Sequence, residues 1–252
     1  MPSVDTAIAV FALAPGLVLG SFLNVVAARV PLHRSIVFPG SACMSCGHDI
    51  AWYDNVPLVS WLVLRGRCRN CGAGIAFRYP AVELVTALLM AGCILKFGLT
   101  GSAAVAAFFC LTLVAVSATD IEHRIIPNKI VLPAAAIVLA ANTALHPSVE
   151  WTLGALGASG FLFAAALAYP RGMGMGDVKL ALLMGAALGR TVSVALMIGM
   201  IAAVIPGIVL LVRHGSAARK MRIPFGPFLA LGSLVALFAG PAIFHWYWSI
   251  GR

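Results

Sequence analysis

The sequence predicts an all-α polytopic membrane protein of about eight transmembrane helices, carrying one small cytoplasmic zinc-knuckle loop domain. Three observations predict it: 62% apolar against 10% charged residues, apolar runs long enough to cross a bilayer, and two CxxC pairs confined to one polar loop. A soluble domain would carry roughly half apolar and about a quarter charged residues. The mean hydropathy of +1.01 places this chain of 252 residues in lipid instead.

A hydrocarbon core of about 30 Å takes roughly 20 apolar residues per helix. The apolar runs fall at residues 6–28, 81–97, 102–119, 130–145, 151–169, 178–189, 191–212 and 227–246. The run 178–189 is short for a full crossing, so it is expected to tilt, to insert halfway or to continue into its neighbour. Met1 to Asp5 carry an acid and no base, unlike a secretory n-region, and no small-residue cleavage site follows, so the first span is expected to be retained. The chain divides accordingly into a first transmembrane helix (1–28), a cytoplasmic tetra-Cys domain (29–80) and a transmembrane core (81–252).

Basic residues set the orientation. With the N-terminus outside, the inner loops hold Arg29, Arg34, Arg65, Arg67, Arg69 and Arg78, then Arg124 and Lys129, Arg171 and Lys179, and Arg213, Arg219, Lys220 and Arg222. These are 14 of the 17 Lys and Arg; Lys96, Arg190 and Arg252 fall outside. The net charge of +9 thus calls for no nucleic-acid partner, because loops facing anionic membrane lipids account for it. Within the loop domain the segment 56–64 is apolar but too short to span, and is expected to pack on the membrane surface or on the domain itself. No internal repeat or low-complexity tract is present.

Cys43-Met44-Ser45-Cys46 and Cys68-Arg69-Asn70-Cys71 are separated by 21 residues, and a glycine, Gly47 or Gly72, follows each pair. Each pair brings two thiolates to one side of a tetrahedral Zn²⁺, and four thiolates leave no open coordination position, so the metal is structural. Two disulfides are the alternative, which a reducing cytosol disfavours. Cys93 and Cys110 stand alone in apolar spans and read as small core residues.

Acids are scarce: Asp5, Asp49, Asp54, Glu83, Asp120, Glu122, Glu150 and Asp177. Asp120 ends the third span and Asp177 opens the sixth, both at the cytoplasmic boundary, so carboxyls far apart in sequence can meet at one depth. Ionisable groups there are costly and are candidates for function. Two neighbouring carboxyls share a proton, so one can activate water while the other donates to a carbonyl. Glycines at 172, 174 and 176 let a substrate backbone approach Asp177. Each aspartate also has a plain alternative, as an N-cap for the helix from Val178 or as a partner of Arg124. Gly157-Ala158-Ser159-Gly160 is similar to the GxSG serine site of rhomboid proteases, with His214 or His245 as base, but mid-span small residues more often serve helix packing. No HExxH, Walker A loop or strand-borne GxGxxG is present.

Taken together, these segments resemble a known family. Gly20-Ser21-Phe22-Leu23-Asn24-Val25-Val26, the two CxxC pairs, Trp52-Tyr53-Asp54-Asn55-Val56-Pro57 with Ser60-Trp61-Leu62, Arg65-Gly66-Arg67-Cys68, and Arg78-Tyr79-Pro80 with Glu83 carry the first half of the likeness. Asp120–Pro127, Gly174-Met175-Gly176-Asp177-Val178-Lys179-Leu180 and Pro224-Phe225-Gly226-Pro227-Phe228 carry the rest. In order and over essentially the whole chain they resemble the type IV prepilin peptidases. The resemblance implies a GxGD-type aspartic endopeptidase of the bacterial inner membrane, with Asp120 and Asp177 as the catalytic pair facing the cytoplasm. It implies cleavage of basic leaders from type IV prepilins and type II secretion pseudopilins. The four cysteines go with the bifunctional form, which also N-methylates the new terminus with S-adenosylmethionine. The rival from another class is a non-enzymatic, zinc-stabilised membrane assembly or transport protein.

Overall fold

The computed structural model describes residues 4–169, 173–215 and 223–250; Gly172, Arg171, Arg219, Lys220, Arg222 and Arg252, invoked above, lie outside them. Among the described residues the secondary structure is helical: α1 (Val4–Arg29), α2 (Val59–Val63), α3 (Arg78–Phe97), α4 (Gly101–His123), α5 (Asn128–Leu145), α6 (Glu150–Ala168), α7 (Met175–Leu188), α8 (Val192–His214) and α9 (Gly226–Ile250). They pack as two compact units, Met1–Ala118 and Thr119–Arg252.

Among the described residues seven stretches are long and apolar enough to cross a membrane, which makes this a multi-pass membrane protein. Six of the predicted runs stand as separate spans. The runs 178–189 and 191–212 join through a single 3-10 turn, Gly189–Thr191, into the 39-residue stretch Met175–Arg213. At 1.5 Å per residue the 14 residues of α7 reach only about 21 Å, less than the usual hydrocarbon thickness, yet α7 runs from the Asp120 end of the unit to the start of α6, where a Cβ on Gly189 would lie 3.2 Å from the Trp151 ring.

In the first unit α1 packs against α3 through small residues spaced by four. A Cβ on Gly16 would lie 2.6 Å from Ala87 Cα, and one on Gly20 would lie 2.6 Å from Glu83 Cα, so only glycine permits this approach. Between helices in lipid, van der Waals contact of this kind replaces the missing hydrophobic drive. Cys93 and Cys110 are buried, free thiols with sulfurs 3.8 Å apart, in keeping with core packing.

The loop between α1 and α3 is held by specific bonds rather than by a core. The Arg69 guanidinium donates to both Asp54 oxygens, at 2.7 and 2.6 Å, tying the 3-10 turn Trp52–Asp54 to the second CxxC pair. That bond holds the Asp54 carboxyl below the ordinary carboxylate range. Beyond it, Leu58 adopts φ 61° and ψ −48°, and Val59 N–H donates to Pro57 O at 2.6 Å. This is a γ-turn of the positive-φ kind, rare and strained for a residue with a Cβ, at a cost on the order of 1–3 kcal/mol.

In the second unit α7 is the central helix, packed against α5 and α6, while α8 packs on α9. Leu180, Ala181, Leu183 and Met184 are each 0% exposed, so α7 is buried on nearly every side and its sequence is correspondingly apolar all round. The Asn142 amide on α5 donates to Ala186 O at 2.9 Å. Where α6 and α7 touch, a Cβ on Gly185 would collide with the backbone of Gly154 and Ala155. Backbone cannot swing aside as a side chain can. Gly185→Ala is therefore expected to destabilise the protein by about 3 kcal/mol, read as a fall in the melting temperature in detergent; Gly157→Ala, with nothing within 4 Å of the added carbon, is the neutral control.

Candidate active site

Both predicted aspartates lie in the second unit, and the chain brings them together. α4 ends just beyond Asp120, α5 and α6 each make a crossing, and α7 begins just before Asp177, so an even number of crossings returns the chain to the same face. The two carboxylates are within electrostatic reach of each other. They are also buried, at 6% and 9% exposure, so water does not screen them from one another.

Helix ends supply the polar partners. Gly226, the first residue of α9, donates its N–H to Asp120 Oδ2 at 2.8 Å. Amides in the first turn of a helix have no intrahelical acceptor, so this donor is available to an acid. Asp177 sits in the first turn of α7, where its own N–H donates to Gly174 O at 3.1 Å. A Cβ on Gly174 would lie 3.5 Å from Asp177 Oδ2, which leaves the approach to that oxygen narrow but open.

Two further contacts fix the mouth of the site. A Cβ on Gly176 would lie 2.9 Å from Ile126 Cβ, so α7 starts in direct contact with the Ile125-Ile126-Pro127 turn. The Lys179 ammonium donates to Asn128 Oδ1 at 2.8 Å, pairing the starts of α7 and α5. Sequence reasoning did not assign Gly226, Ile126 or Asn128 to the site. The signals were the Asp120–Pro127 segment, which contains Ile126, and the Pro-Phe-Gly-Pro segment, which marks a helix start without saying what that start faces. A Cβ on Gly226 would fall 2.9 Å from Asp120 Oδ2. Gly226→Ala is thus expected to push the carboxylate off its amide and, in any reaction that uses Asp120, to cost about 10²-fold in rate with little loss of fold.

The serine alternative gains no support here. Ser159 lies mid-α6 between Gly157 and Gly160, which meet nothing within 4 Å, and the side chains of His214 and His245 are outside the description.

In the first unit the four predicted ligands, Cys43, Cys46, Cys68 and Cys71, place their sulfurs within 4.8 Å of one another. The Cys43 and Cys71 sulfurs are 3.8 Å apart. A tetrahedral ion with Zn–S bonds of about 2.3 Å separates its ligands by about 3.8 Å, so the donor set fits zinc. The two halves are built alike. Cys43 N–H donates to His48 O and Gly47 N–H to Cys43 O; Cys68 N–H donates to Ala73 O and Gly72 N–H to Cys68 O. Gly47 and Gly72 close these turns at φ 70° and 71°, where a Cβ would be strained. The Cys46 and Ser45 amides aimed at Cys43 lower that thiol to about 6. At Cys71 the Ala73 amide pulls the same way, but the neighbouring sulfurs push the thiol up to about 11. The turns invite thiolates and the thiolates repel, which is the arrangement a divalent cation resolves.

Comparison with known proteins divides the chain in a related way. Residues 15–97 match the Bacterial Peptidase A24 N-terminal domain, and residues 107–212 match the Type IV leader peptidase family. Among curated proteins, the chain is similar to "Prepilin leader peptidase/N-methyltransferase" of Bacillus subtilis (strain 168), 37% identical over 92% of this chain and 94% of that one. Proteins of the same description from Myxococcus xanthus and Pseudomonas aeruginosa are 41% and 35% identical, over 84% and 92% of this chain and 66% and 90% of theirs. No solved structure matches the chain.

Proposed function

The chain belongs to the type IV leader peptidase family and is a prepilin peptidase with N-methyltransferase activity, and from that premise we propose that Asp120 and Asp177 are the residues that cut the leader. The observation that carries this reading is two buried carboxylates, delivered by separate helices, within electrostatic reach of each other. The pair holds one proton between them. The ionised carboxyl draws a proton from a water molecule, and the resulting hydroxide attacks the scissile carbonyl carbon. The protonated carboxyl donates to the carbonyl oxygen, and a proton passes to the leaving amine as the C–N bond breaks. The Gly226 amide keeps Asp120 oriented through the cycle, and the Gly176–Ile126 contact holds the start of α7 in register.

Substrates are prepilins and type II secretion pseudopilins, cut in the bacterial inner membrane at its cytoplasmic face. Fourteen of the 17 basic residues fall on that side in the orientation read from the sequence. A basic leader followed by an apolar helix would leave its junction at the boundary where both aspartates lie. Cys43, Cys46, Cys68 and Cys71 hold a structural Zn²⁺, which supplies cross-linking and no chemistry, since four thiolates leave no open position. S-adenosylmethionine supplies the methyl group when bound. The sequence has no Gly-rich strand-to-helix loop and the described residues form no strand to carry one, so a nucleotide site of the doubly wound kind is not built here and no residues are assigned to hold it.

The test is cleavage of a prepilin in detergent by wild type, Asp120→Asn and Asp177→Asn, each checked for folding. Cutting by either variant at the wild-type rate would sink the reading and reopen the scaffold alternative.

A further inference from the structure

Three segments that the peptidase site leaves unused meet at one point of the first unit: Ser21 of α1, Leu58 of the loop and Glu83 of α3. Glu83 is 7% exposed. Its Oε2 accepts the Leu58 N–H at 2.7 Å, and the Ser21 side chain hydrogen bonds to the same carboxylate. Leu58 is the centre of the strained γ-turn, a conformation that persists only where the surroundings over-determine it. A membrane-helix carboxylate gripping the amide of that residue is such a surrounding.

The turn matters because of what hangs on it. It launches α2, whose Ser60 hydroxyl donates to Tyr53 O at 3.0 Å and whose Trp61 indole donates to Ile75 O at 3.1 Å. Asp54, next to Tyr53, is clamped by Arg69 between Cys68 and Cys71. The grip of Glu83 is thus relayed to both sides of the tetracysteine loop. That loop and Glu83 lie inside the stretch 15–97, which the family match separates from the peptidase stretch 107–212. The relatives' descriptions carry two activities.

We propose that Glu83 is a positioning residue for N-methylation: its carboxylate holds the Pro57-Leu58-Val59 turn, and so seats the tetracysteine loop on the α1–α3 hairpin in the arrangement that methyl transfer uses. Cleavage does not depend on it; this rests on the reading that cleavage belongs to Asp120 and Asp177. Glu83 need only accept a hydrogen bond here, so glutamine suffices and alanine does not. Glycine at position 58 takes a positive φ without strain and so relieves the need for the grip.

The experiment uses the full chain in detergent with a prepilin and S-adenosylmethionine. Mass analysis of the product N-terminus separates cut from cut-and-methylated pilin, and limited proteolysis of residues 52–64 without S-adenosylmethionine reports the seating of the loop. Glu83→Ala is expected to cut at the wild-type rate, to methylate about 10²-fold more slowly, and to expose the loop to protease. Glu83→Gln keeps methylation, and adding Leu58→Gly to Glu83→Ala restores both methylation and protection. Should Glu83→Ala not fold, Leu58→Pro removes the amide and the positive φ together and is expected to cut without methylating.

Wild-type methylation by Glu83→Ala or Leu58→Pro would overturn the proposal. So would a Glu83→Gln as defective as alanine, failure of Leu58→Gly to rescue, or cleavage falling in step with methylation. A wrong assignment of Asp120 and Asp177 would show instead as cleavage surviving their replacement, with the Glu83 variants unaffected.

Discussion

Asp120→Asn and Asp177→Asn are each expected to lower the rate of prepilin cleavage by about 10²–10⁴-fold, the range over which positioned proton transfer contributes. Asparagine keeps the size of the side chain and, at position 120, an oxygen that can still accept the Gly226 N–H. What it loses is the ability to exchange a proton. The double variant is expected to be no worse than either single one, because two groups that work as a unit are lost as a unit. Folding should survive. Two buried acids within electrostatic reach repel when both ionise, so removing one relieves the second unit rather than undermining it. Initial rates in detergent, set beside melting temperatures of the same preparations, check both halves. A variant that lost cleavage only because it unfolded would melt well below wild type, and a folded variant that cut normally would remove its residue from the mechanism.

The pair was legible in the sequence because the chain has only 8 acids, and an acid at a membrane boundary is an anomaly that asks for a reason. Their meeting was legible only as a shared depth. What brings them together is that α5 and α6 both cross and that α7 is buried on nearly every side, and no local pattern encodes either. The spans themselves read well, since about 20 apolar residues leave few alternatives, and the one ambiguous run is the one whose helix is only 14 residues long. Gly226 was hidden because its role is to offer an amide, which every residue but proline has. Gly16 and Gly20 carry a spacing that permits close helix contact, yet among 25 glycines that spacing does not announce its partner. Leu58 was hidden for the opposite reason: local propensity argues against a positive φ at leucine, and the conformation exists because Glu83, far along the chain, holds the amide in place. The knuckles read best, because each is closed by bonds a few residues long.

Removal of zinc is expected to act on the first unit and to leave cleavage largely intact. The loop from 43 to 71 buries little of its own: Cys46 and Cys71 are exposed, as are Met44, Trp52 and Val63. Its order depends on two amide-closed turns, the Asp54–Arg69 clamp and the four sulfurs. Structural zinc in small domains contributes roughly 10 kcal/mol or more to folding, which exceeds anything the other contacts supply. A chelator, or Cys43→Ser combined with Cys71→Ser, should therefore release the metal and expose the loop to protease. Asp120, Asp177 and Gly226 lie in the other unit, and the Asp120 carboxylate is held there by the Gly226 N–H. Metal content, proteolysis of the loop and cleavage rate, measured on one preparation, decide it. Loss of metal with an opened loop and persisting cleavage would make the zinc an organiser of the N-terminal unit alone. Complete loss of cleavage while the second unit still melts as in wild type would mean that the peptidase depends on the loop, and the division of labour between the two units would have to be abandoned.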